Sequence, residues 1–453
     1  MKYIFKIDID IINNEIDFIK SLLHIHYNNI ELPLLFIQRL KNNLLEKTVQ
    51  KKLPIDDLIN NKERFIEYLV EKHKDIINSS PEVQLFHAFN KGTEKIESLF
   101  EFFKNITINE NSNYKEWINY ALKAAYLGSV VYKSGDLEYI NRFENVYKIL
   151  NNLYETWIIK NYSGLRTIPS VPHPAMVHHV PHYLASYYRN NLKPIALIVI
   201  DGLALNQWIT LRDSLPDNNL RFIENALFAW IPTLTTVSRQ ALFSGKNPYE
   251  FEESINTTSK EESYWLLFWE NNGLEKENVL YLKGMDSKKT QELEKTIIPH
   301  KTKIAGLIVN KIDNIMHGME MGMEGFHNQI TIFGKNDILG NLIDKLLISG
   351  FDIWITSDHG NTECSGRGQP KEASIAKTRG ERVRVYKSEN LINTIRDKFH
   401  WSDCWKPIGL PKDYYPLIAT ENNAFLPERV TAVSHGSISM NETIVPFIKV
   451  LRK

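Results

Sequence analysis

Acidic and histidine side chains follow apolar runs at several points of this chain, where they could bind metal ions. The clearest case is residues 353–360, in which an apolar, β-branched run ends in Ser357, Asp358, His359 and Gly360. A buried strand with this ending brings a carboxylate and an imidazole to the edge of a sheet at which ligands gather in α/β folds. Both groups are common ligands of Zn²⁺ and related ions.

Three further segments supply similar groups. Asp201 follows the apolar run 195–200 and precedes a glycine, although an Asp-Gly pair at this place also suits a plain turn. Asp313 and His317 are four residues apart, so on a helix they share one face and could bind one ion or form a solvated pair. His435 follows another short apolar run near the end of the sequence.

A hydroxyl group suited to nucleophilic chemistry lies in residues 231–245. The start of this segment is typical of a strand end and its later part of a helix, with Thr235 and Thr236 near the junction. The free N–H groups and the dipole of a helix N-terminus favour anions, so they would lower the energy of an alkoxide. Ordinary N-capping by threonine is the alternative.

These groups together indicate a reaction that none of them indicates alone. Three aspartates, three histidines and a hydroxyl suit two divalent ions with nitrogen and oxygen ligands. Two such ions, about 4 Å apart, can stabilise both the attacking and the leaving oxygen of a phosphoryl displacement.

The order of the predicted elements indicates how these groups are positioned. Residues 1–165 show mostly helical patterns, and the proline-rich segment 167–174 cannot continue a helix. Beyond it, short apolar runs alternate with helical stretches, which predicts a second domain over residues 166–453, of α/β class with a largely parallel sheet. The predicted strands are residues 195–200, 279–282, 304–309, 353–356 and 383–386, and a helix is predicted over 337–347.

Composition excludes some classes of protein. The 453 residues include 54 basic and 54 acidic side chains, a balance that argues against a protein that coats nucleic acid but permits a local basic groove. No segment reaches the roughly 18 to 20 apolar residues that cross a membrane, and acids interrupt the apolar run at the N-terminus. We therefore expect a soluble cytoplasmic protein, with Cys364 and Cys404 as reduced thiols.

Residues from about 165 to 453 resemble the alkaline phosphatase superfamily, and more closely its PglZ-domain branch. The resemblance rests on a combination of short strings rather than on any one of them. These strings are residues 181–184, 198–202, 232–235, 243–245, 357–360, 379–386, 435–442 and 444–447. One departure is Ser437, which follows Gly436 where the family often has a second glycine.

The resemblance implies a role for each candidate residue. By position in the motifs, one metal ion would be held near the nucleophile by Asp201, Asp358 and His359, and the other by Asp313, His317 and His435. The nucleophile would be Thr235, the second threonine of the Pro-Thr-x-Thr string, with Thr236 as its neighbour. The implied cofactors are two divalent ions, Zn²⁺ first and Mn²⁺ as the alternative. A covalent phosphothreonine would form and then be hydrolysed.

The implied function is a two-metal phosphodiesterase or phosphatase with a nucleotide, oligonucleotide or nucleic-acid substrate. PglZ proteins belong to BREX-type phage defence or serve as signalling outputs, so residues 1–165 are expected to select a substrate or to bind other defence proteins. Two alternatives stay open: a non-catalytic assembly factor of a defence complex, and a phosphomutase with the same metal site.

Several other residues are candidates for parts of this site. Thr236, Arg239 and Arg379 are candidates for binding the substrate, although Arg239 also suits an ordinary surface position. Cys364 suits a buried thiol better than an additional zinc ligand. A third metal site at the histidines of residues 173–182 is disfavoured, because proline-interrupted loops rarely hold ligands at fixed spacing.

Overall fold

The computed structural model describes residues 92–216, 219–298, 300–319, 321–370 and 380–453. Its larger helices, in chain order, are α1 (Gly92–Lys104), α2 (Tyr114–Ser134), α3 (Leu137–Leu165), α4 (Val180–Asn191), α5 (Leu205–Arg212), α6 (Thr235–Ser244), α7 (Glu261–Asn271), α8 (Ser287–Thr296), α9 (Lys311–Met316), α10 (Gly322–Lys335), α11 (Ile338–Ile348), α12 (Glu389–Arg396) and α13 (Met440–Thr443). Short 3₁₀ turns occur at Val177–His179, Pro248–Ser254 and Lys276–Asn278.

Twelve strands form three sheets within these ranges. They are β1 (Ile195–Ile200), β2 (Leu220–Phe228), β3 (Val279–Lys283), β4 (Ile304–Val309), β5 (Asp352–Thr356), β6 (Thr362–Gly366), β7 (Val383–Tyr386), β8 (Ser402–Cys404), β9 (Tyr415–Ala419), β10 (Asn423–Ala424), β11 (Thr431–Ser434) and β12 (Ile444–Arg452). The main sheet has the order β2-β12-β5-β1-β4-β3.

The main sheet is largely parallel, as the sequence predicts. Strand β1 pairs in parallel with β4 and β5, and β3 pairs in parallel with β4, while β12 runs antiparallel between β5 and β2. Every residue of β1 and β4 is buried, which explains their continuous apolar sequences. The predicted segment 383–386 is also a strand, but it belongs to a separate small sheet of order β7-β9-β8.

Strand register explains why distant segments meet at one edge of the sheet. Ile200 on β1 is opposite Val309 on β4, and Val199 is opposite Thr356 on β5. The residues that follow these three strands therefore leave the sheet at the same level. Because α/β folds bind ligands at the carboxyl ends of their strands, this edge is the expected place for a site.

Helices precede the main sheet, as expected for the region before residue 165. Helix α2 begins at a capping box in which the Asn113 side chain accepts hydrogen bonds from the N–H groups of Lys115 and Glu116. Helix α3 packs on the α/β core: Tyr154 Oη lies 2.7 Å from Thr443 Oγ1, and Asn151 Oδ1 accepts a hydrogen bond from the Met440 N–H.

The chain divides into two compact units, Met1–Ile106 and Thr107–Lys453, so that α2 and α3 share the unit of the main sheet. The domain boundary near residue 165 stays a prediction, and residues 1–91 lie outside the described part. Among the described helices, none is long and apolar enough to cross a membrane. Cys364 and Cys404 are free thiols.

His327 on α10 lies inside this unit and gives a test of the packing. Its ring is 2% exposed, stacks on Tyr132 at 4.8 Å between centroids, and its Nδ1 lies 2.6 Å from Thr210 Oγ1. Burial penalises the charged imidazole and lowers the pKa of His327 from 6.5 to about 3.

The unfolded chain takes up a proton at this residue below pH 6.5, whereas the folded chain does so only near pH 3. Stability from neutral His327 is therefore complete above pH 6.5 and is lost as the pH falls, by about 1.4 kcal/mol per unit. In urea titrations, we expect the free energy of unfolding of His327→Phe to fall less steeply between pH 6 and 4 than that of the parent. His400→Phe, at an exposed site, is the control and should keep the slope of the parent.

Candidate metal centre

The first group of possible ligands comes from the ends of β1 and β5. Asp201, Asp358 and His359 are all buried, and one possible ligand atom from each lies within 4.8 Å of the others. The turn after β5 is held by Ser357, whose Oγ donates to the His359 carbonyl and accepts from the Leu203 N–H. We call these three residues the nucleophile-side set.

The second group comes from three other elements. Asp313 lies on the short helix α9 after β4, His317 directly follows that helix, and His435 follows β11; their possible ligand atoms also lie within 4.8 Å of one another. His317 Nε2 is 3.1 Å from Asp313 Oδ1. We call these residues the second set. The rings of His359 and His435 stack with centroids 4.0 Å apart, so the two sets are neighbours.

Backbone carbonyl groups determine which nitrogen of each central histidine carries the hydrogen. His359 Nδ1 lies 2.9 Å from the Gly360 oxygen, and His435 Nδ1 lies 2.6 Å from the Thr233 oxygen. A carbonyl oxygen only accepts, so both Nδ1 atoms carry the hydrogen and both Nε2 atoms present a lone pair. This arrangement is typical of histidines that bind a metal through Nε2 and are oriented through Nδ1.

Unsatisfied polar atoms show that the residues fit a bound cation. Among the described residues, three buried atoms of these two sets make no hydrogen bond: Asp201 Oδ1, Asp358 Oδ2 and His435 Nε2. Buried carboxylate oxygens without a donor are costly unless a charge compensates them. All three are electron-pair donors, and together with His359 and Asp313 they form nitrogen and oxygen ligand sets of the kind that Zn²⁺ takes.

The protonation of the ligands agrees with this interpretation. Burial, helped by the nearby His359, lowers the pKa of His435, which keeps it neutral. Burial acts to raise the pKa of Asp313, but hydrogen bonding and charge attraction from His317 outweigh it and lower that pKa to about 2. Burial and the charge of Asp358 raise the pKa of Asp201, because two buried carboxylates repel each other. A cation bound between them would relieve this repulsion.

Thr235 is the first residue of α6, and its hydroxyl faces the nucleophile-side set. Its Oγ1 lies 2.9 Å from His359 Nε2, which accepts the hydrogen bond. The side chain is half-buried and stands at a helix N-terminus, where the peptide dipoles favour a negative charge. Of the two adjacent threonines, Thr235 is the one with a hydrogen bond to a residue of the ligand sets.

Two glycines are required where the ligands emerge. Gly202 has a φ of 72°, which L side chains rarely adopt, and this turn directs the chain away from Asp201. A Cβ atom added to Gly360 would overlap the carbonyl oxygen of Asn441. The close approach brings the turn after β5 against α13, which precedes β12.

The other predicted residues have different surroundings. Arg239 is 2% exposed, and its guanidinium contacts Asp201 and Glu261 rather than solvent. Arg379 lies outside the described residues. Cys364 is buried, its Sγ donates to the Ala432 oxygen, and burial raises the pKa of its thiol to about 12. Among the described residues, neither this cysteine nor the histidines of residues 173–182 belong to a group of possible metal ligands.

Sequence reasoning missed several residues that support the site. Glu261 and Glu442 are both fully buried and both pair with buried arginines. Glu442 could have been found from the sequence, since Ser439 and Glu442 have the spacing of a capping box, which the structure contains. Glu261 has no comparable signal, because its partner Arg239 is identified only by the tertiary structure.

The fold and the two ligand sets define an alkaline-phosphatase-like domain. A family model described as the BREX system PglZ alkaline phosphatase-like domain matches residues 182–450. The chain belongs to this PglZ family, which confirms the resemblance inferred from the motifs. No curated protein sequence matches the chain.

Two solved structures match part of the chain at low sequence identity. The murine ectonucleotide pyrophosphatase/phosphodiesterase 5 is 12% identical over 56% of this chain and 88% of its own, with a TM-score of 0.43. Phosphonoacetate hydrolase from Sinorhizobium meliloti 1021, in complex with phosphonoformate, is 14% identical over 57% of this chain and 89% of its own, with a TM-score of 0.36.

Proposed function

We propose that this protein is a metal-dependent phosphoric ester hydrolase with Thr235 as its nucleophile, acting on phosphodiesters of nucleotides or nucleic acid. The observation that carries the proposal is the position of the Thr235 hydroxyl, 2.9 Å from His359 Nε2 and beside two complete ligand sets. A scaffold protein would have no need of a hydroxyl, six ligands and oriented imidazoles in one place. Membership of the PglZ family supports the same class of reaction.

The proposed cofactors are two divalent ions, Zn²⁺ first and Mn²⁺ as the alternative. The nucleophile-side set (Asp201, Asp358 and His359) would hold one ion, and the second set (Asp313, His317 and His435) the other. When bound, two such ions supply the positive charge that stabilises the attacking and leaving oxygens of a phosphoryl transfer.

The chain itself positions the nucleophile and stabilises the charge that develops on it. Thr235 Oγ1 forms a bond to phosphorus as the bond from phosphorus to the leaving oxygen breaks. The hydroxyl proton passes to solvent, and the leaving oxygen takes a proton from solvent. A water molecule then cleaves the phosphothreonine and restores the hydroxyl. The N-terminus of α6 stabilises negative charge on Thr235 and on the phosphoryl oxygens next to it.

The proposed setting is the cytoplasm, in phage defence, with other defence proteins bound through residues 1–165. The family description, which names the BREX system, supports this setting. Thr236 and Arg379 are proposed substrate contacts; Thr236 is adjacent to the nucleophile and half-buried. A phosphomutase would use the same ligands, and it differs in returning the phosphoryl group to an acceptor hydroxyl rather than to water.

Removal of metal gives the direct test of this function. The purified protein is expected to contain close to two equivalents of Zn²⁺ or Mn²⁺ by elemental analysis and to hydrolyse bis-aryl phosphates, because both ligand sets are complete. Dialysis against a chelator should abolish hydrolysis, and added Zn²⁺ or Mn²⁺ should restore it. Mono-aryl phosphates, cyclic dinucleotides and single- and double-stranded DNA, assayed in parallel, identify the substrate class.

Three results would contradict the proposal in different ways. A protein with no bound metal and no hydrolysis would instead be an assembly factor. Hydrolysis that persists after chelation would exclude the metal-dependent mechanism. Transfer of phosphate to a sugar or glycerate, without release to water, would identify a phosphomutase.

A further inference from the structure

A buried arginine lies behind each of the two ligand sets. Arg239 is 2% exposed and Arg382 is fully buried. Burying an arginine removes its hydration, and replacing a buried ion pair by apolar side chains is often neutral or even stabilising. Stability alone therefore does not explain two such pairs, and their links to the ligand sets suggest another role.

Arg239 holds one oxygen of Asp201. Its Nη1 lies 2.5 Å from Asp201 Oδ2 and 3.9 Å from Asp358 Oδ2, and its Nε donates to Glu261 Oε1 at 2.8 Å. The occupied oxygen of Asp201 is Oδ2, whereas Oδ1 of the same carboxylate accepts no hydrogen bond in the described structure. The guanidinium thus fixes the plane of the carboxylate and leaves one oxygen available to a cation.

Glu261 keeps Arg239 in this orientation. Its second oxygen, Oε2, accepts a hydrogen bond from Tyr281 Oη at 2.7 Å and lies 3.5 Å from Lys283 Nζ. Tyr281 and Lys283 are on the edge strand β3, and Glu261 begins α7. The orientation of Asp201 therefore depends on a chain of contacts that reaches the edge of the sheet.

Arg382 is linked to the loop of His435 by its backbone and, through its side chain, by Glu442. Its backbone N–H donates to the His435 oxygen, and its Nε contacts both carboxylate oxygens of Glu442, at 3.1 and 3.2 Å. Glu442 in turn accepts from the Ser437 N–H at 2.8 Å and from the Ser439 hydroxyl at 2.5 Å. The loop after His435 is thus held at Ser437 and Ser439 by the carboxylate of one buried ion pair.

We propose that Arg239 and Arg382 are positioning residues, and that each maintains the affinity of one ligand set for its metal ion. Arg239 acts on the nucleophile-side set through Asp201. Arg382 acts on the second set through Glu442, which holds the loop that begins with His435. The proposal deepens the proposed function and rests on it. It also assigns Arg239 a contact with a ligand instead of a contact with the substrate.

The test is a metal titration of the chelator-treated full-length protein and its Arg239→Lys and Arg382→Lys variants. Lysine keeps the charge but loses the planar fork that makes several directed hydrogen bonds. Outer contacts of this kind typically change metal affinity by about 10- to 100-fold. We expect two classes of Zn²⁺ site in the parent. Each variant should lower the affinity of one class and leave the affinity of the other unchanged.

Reference variants identify the two classes. Asp358→Asn should abolish the nucleophile-side site, which is the site that Arg239→Lys weakens. His317→Gln should abolish the second site, which is the site that Arg382→Lys weakens. Should a lysine variant fail to fold, Glu261→Gln or Glu442→Gln removes the partner of the same arginine and is expected to weaken the same class. Titration of Co²⁺, followed by its visible absorption, gives a readout that does not depend on activity.

The arginine roles would be overturned if the folded variants bound both ions as the parent does, or if each variant weakened both classes equally. Tighter binding by Arg239→Lys or Glu261→Gln would also overturn them, because it would mean that the guanidinium only competes with the cation. If the parent itself binds no metal, the result overturns the proposed function, and the arginine roles with it.

Discussion

Thr235→Ala is expected to lower kcat for a bis-aryl phosphate by on the order of 10⁴-fold, since loss of a nucleophile leaves only the catalysis that positioning and charge provide. Metal content and the unfolding temperature should stay close to those of the parent, because the Thr235 hydroxyl donates to His359 without holding the fold together. Steady-state kinetics with elemental analysis of the same samples checks both expectations.

Thr236→Ala is the matched control for this experiment. Thr236 is adjacent in sequence and occupies the same first turn of α6, but the hydrogen bond to His359 comes from Thr235. We expect a change well below that of Thr235→Ala. A larger fall in kcat for Thr236→Ala than for Thr235→Ala would identify Thr236 as the nucleophile. Equally small changes in both variants would exclude a threonine nucleophile. Trapping of a phosphorylated peptide by mass spectrometry identifies the residue independently.

Asp358→Asn is expected to remove one of the two metal equivalents and to lower kcat by roughly 10³-fold, because a catalytic metal ion supplies several kcal/mol of transition-state stabilisation. The asparagine carbonyl can still accept the hydrogen bonds that Asp358 Oδ1 receives from the N–H groups of Gly202 and His359. The backbone turn after β5 should therefore persist.

Stability measurements separate loss of the ligand from loss of the fold. Asp201 and Asp358 are buried close together, and their charges repel, as the raised pKa of Asp201 indicates; burial is its largest cause, followed by Asp358. Without metal, Asp358→Asn should unfold at a temperature equal to or above that of the parent. With saturating Zn²⁺, the parent should gain more stability than the variant, since metal that binds the folded state stabilises it.

Asp352→Asn is the control on the same strand. Asp352 begins β5 at the end away from the ligand sets, and its Oδ2 accepts a hydrogen bond from Tyr187 Oη at 2.8 Å. We expect the parent's metal content and kinetics in this variant. Equal losses of metal from Asp352→Asn and Asp358→Asn would mean that the strand, rather than the Asp358 carboxylate, is responsible.

The sequence by itself determined the α/β class and singled out the candidate metal ligands. Continuous apolar runs such as residues 195–200 and 304–309 predict strands buried on both faces, and the structure confirms them. Acids and imidazoles placed directly after such runs must emerge at a sheet edge. For this reason Asp201, Asp358 and His359 could each be placed at the same sheet edge from the sequence. Their grouping around one metal ion was implied by the resemblance to PglZ domains.

The tertiary structure alone decided which residues support these ligands and how they are oriented. Arg239 and Glu261 are 22 positions apart, and Arg382 and Glu442 are 60 apart, so no local spacing links either pair. The tautomers of His359 and His435 depend on carbonyl oxygens whose positions follow from the packing of the turns. Periodicity in a sequence reports which face of an element is buried, whereas the partner of a buried charge depends on how whole elements pack.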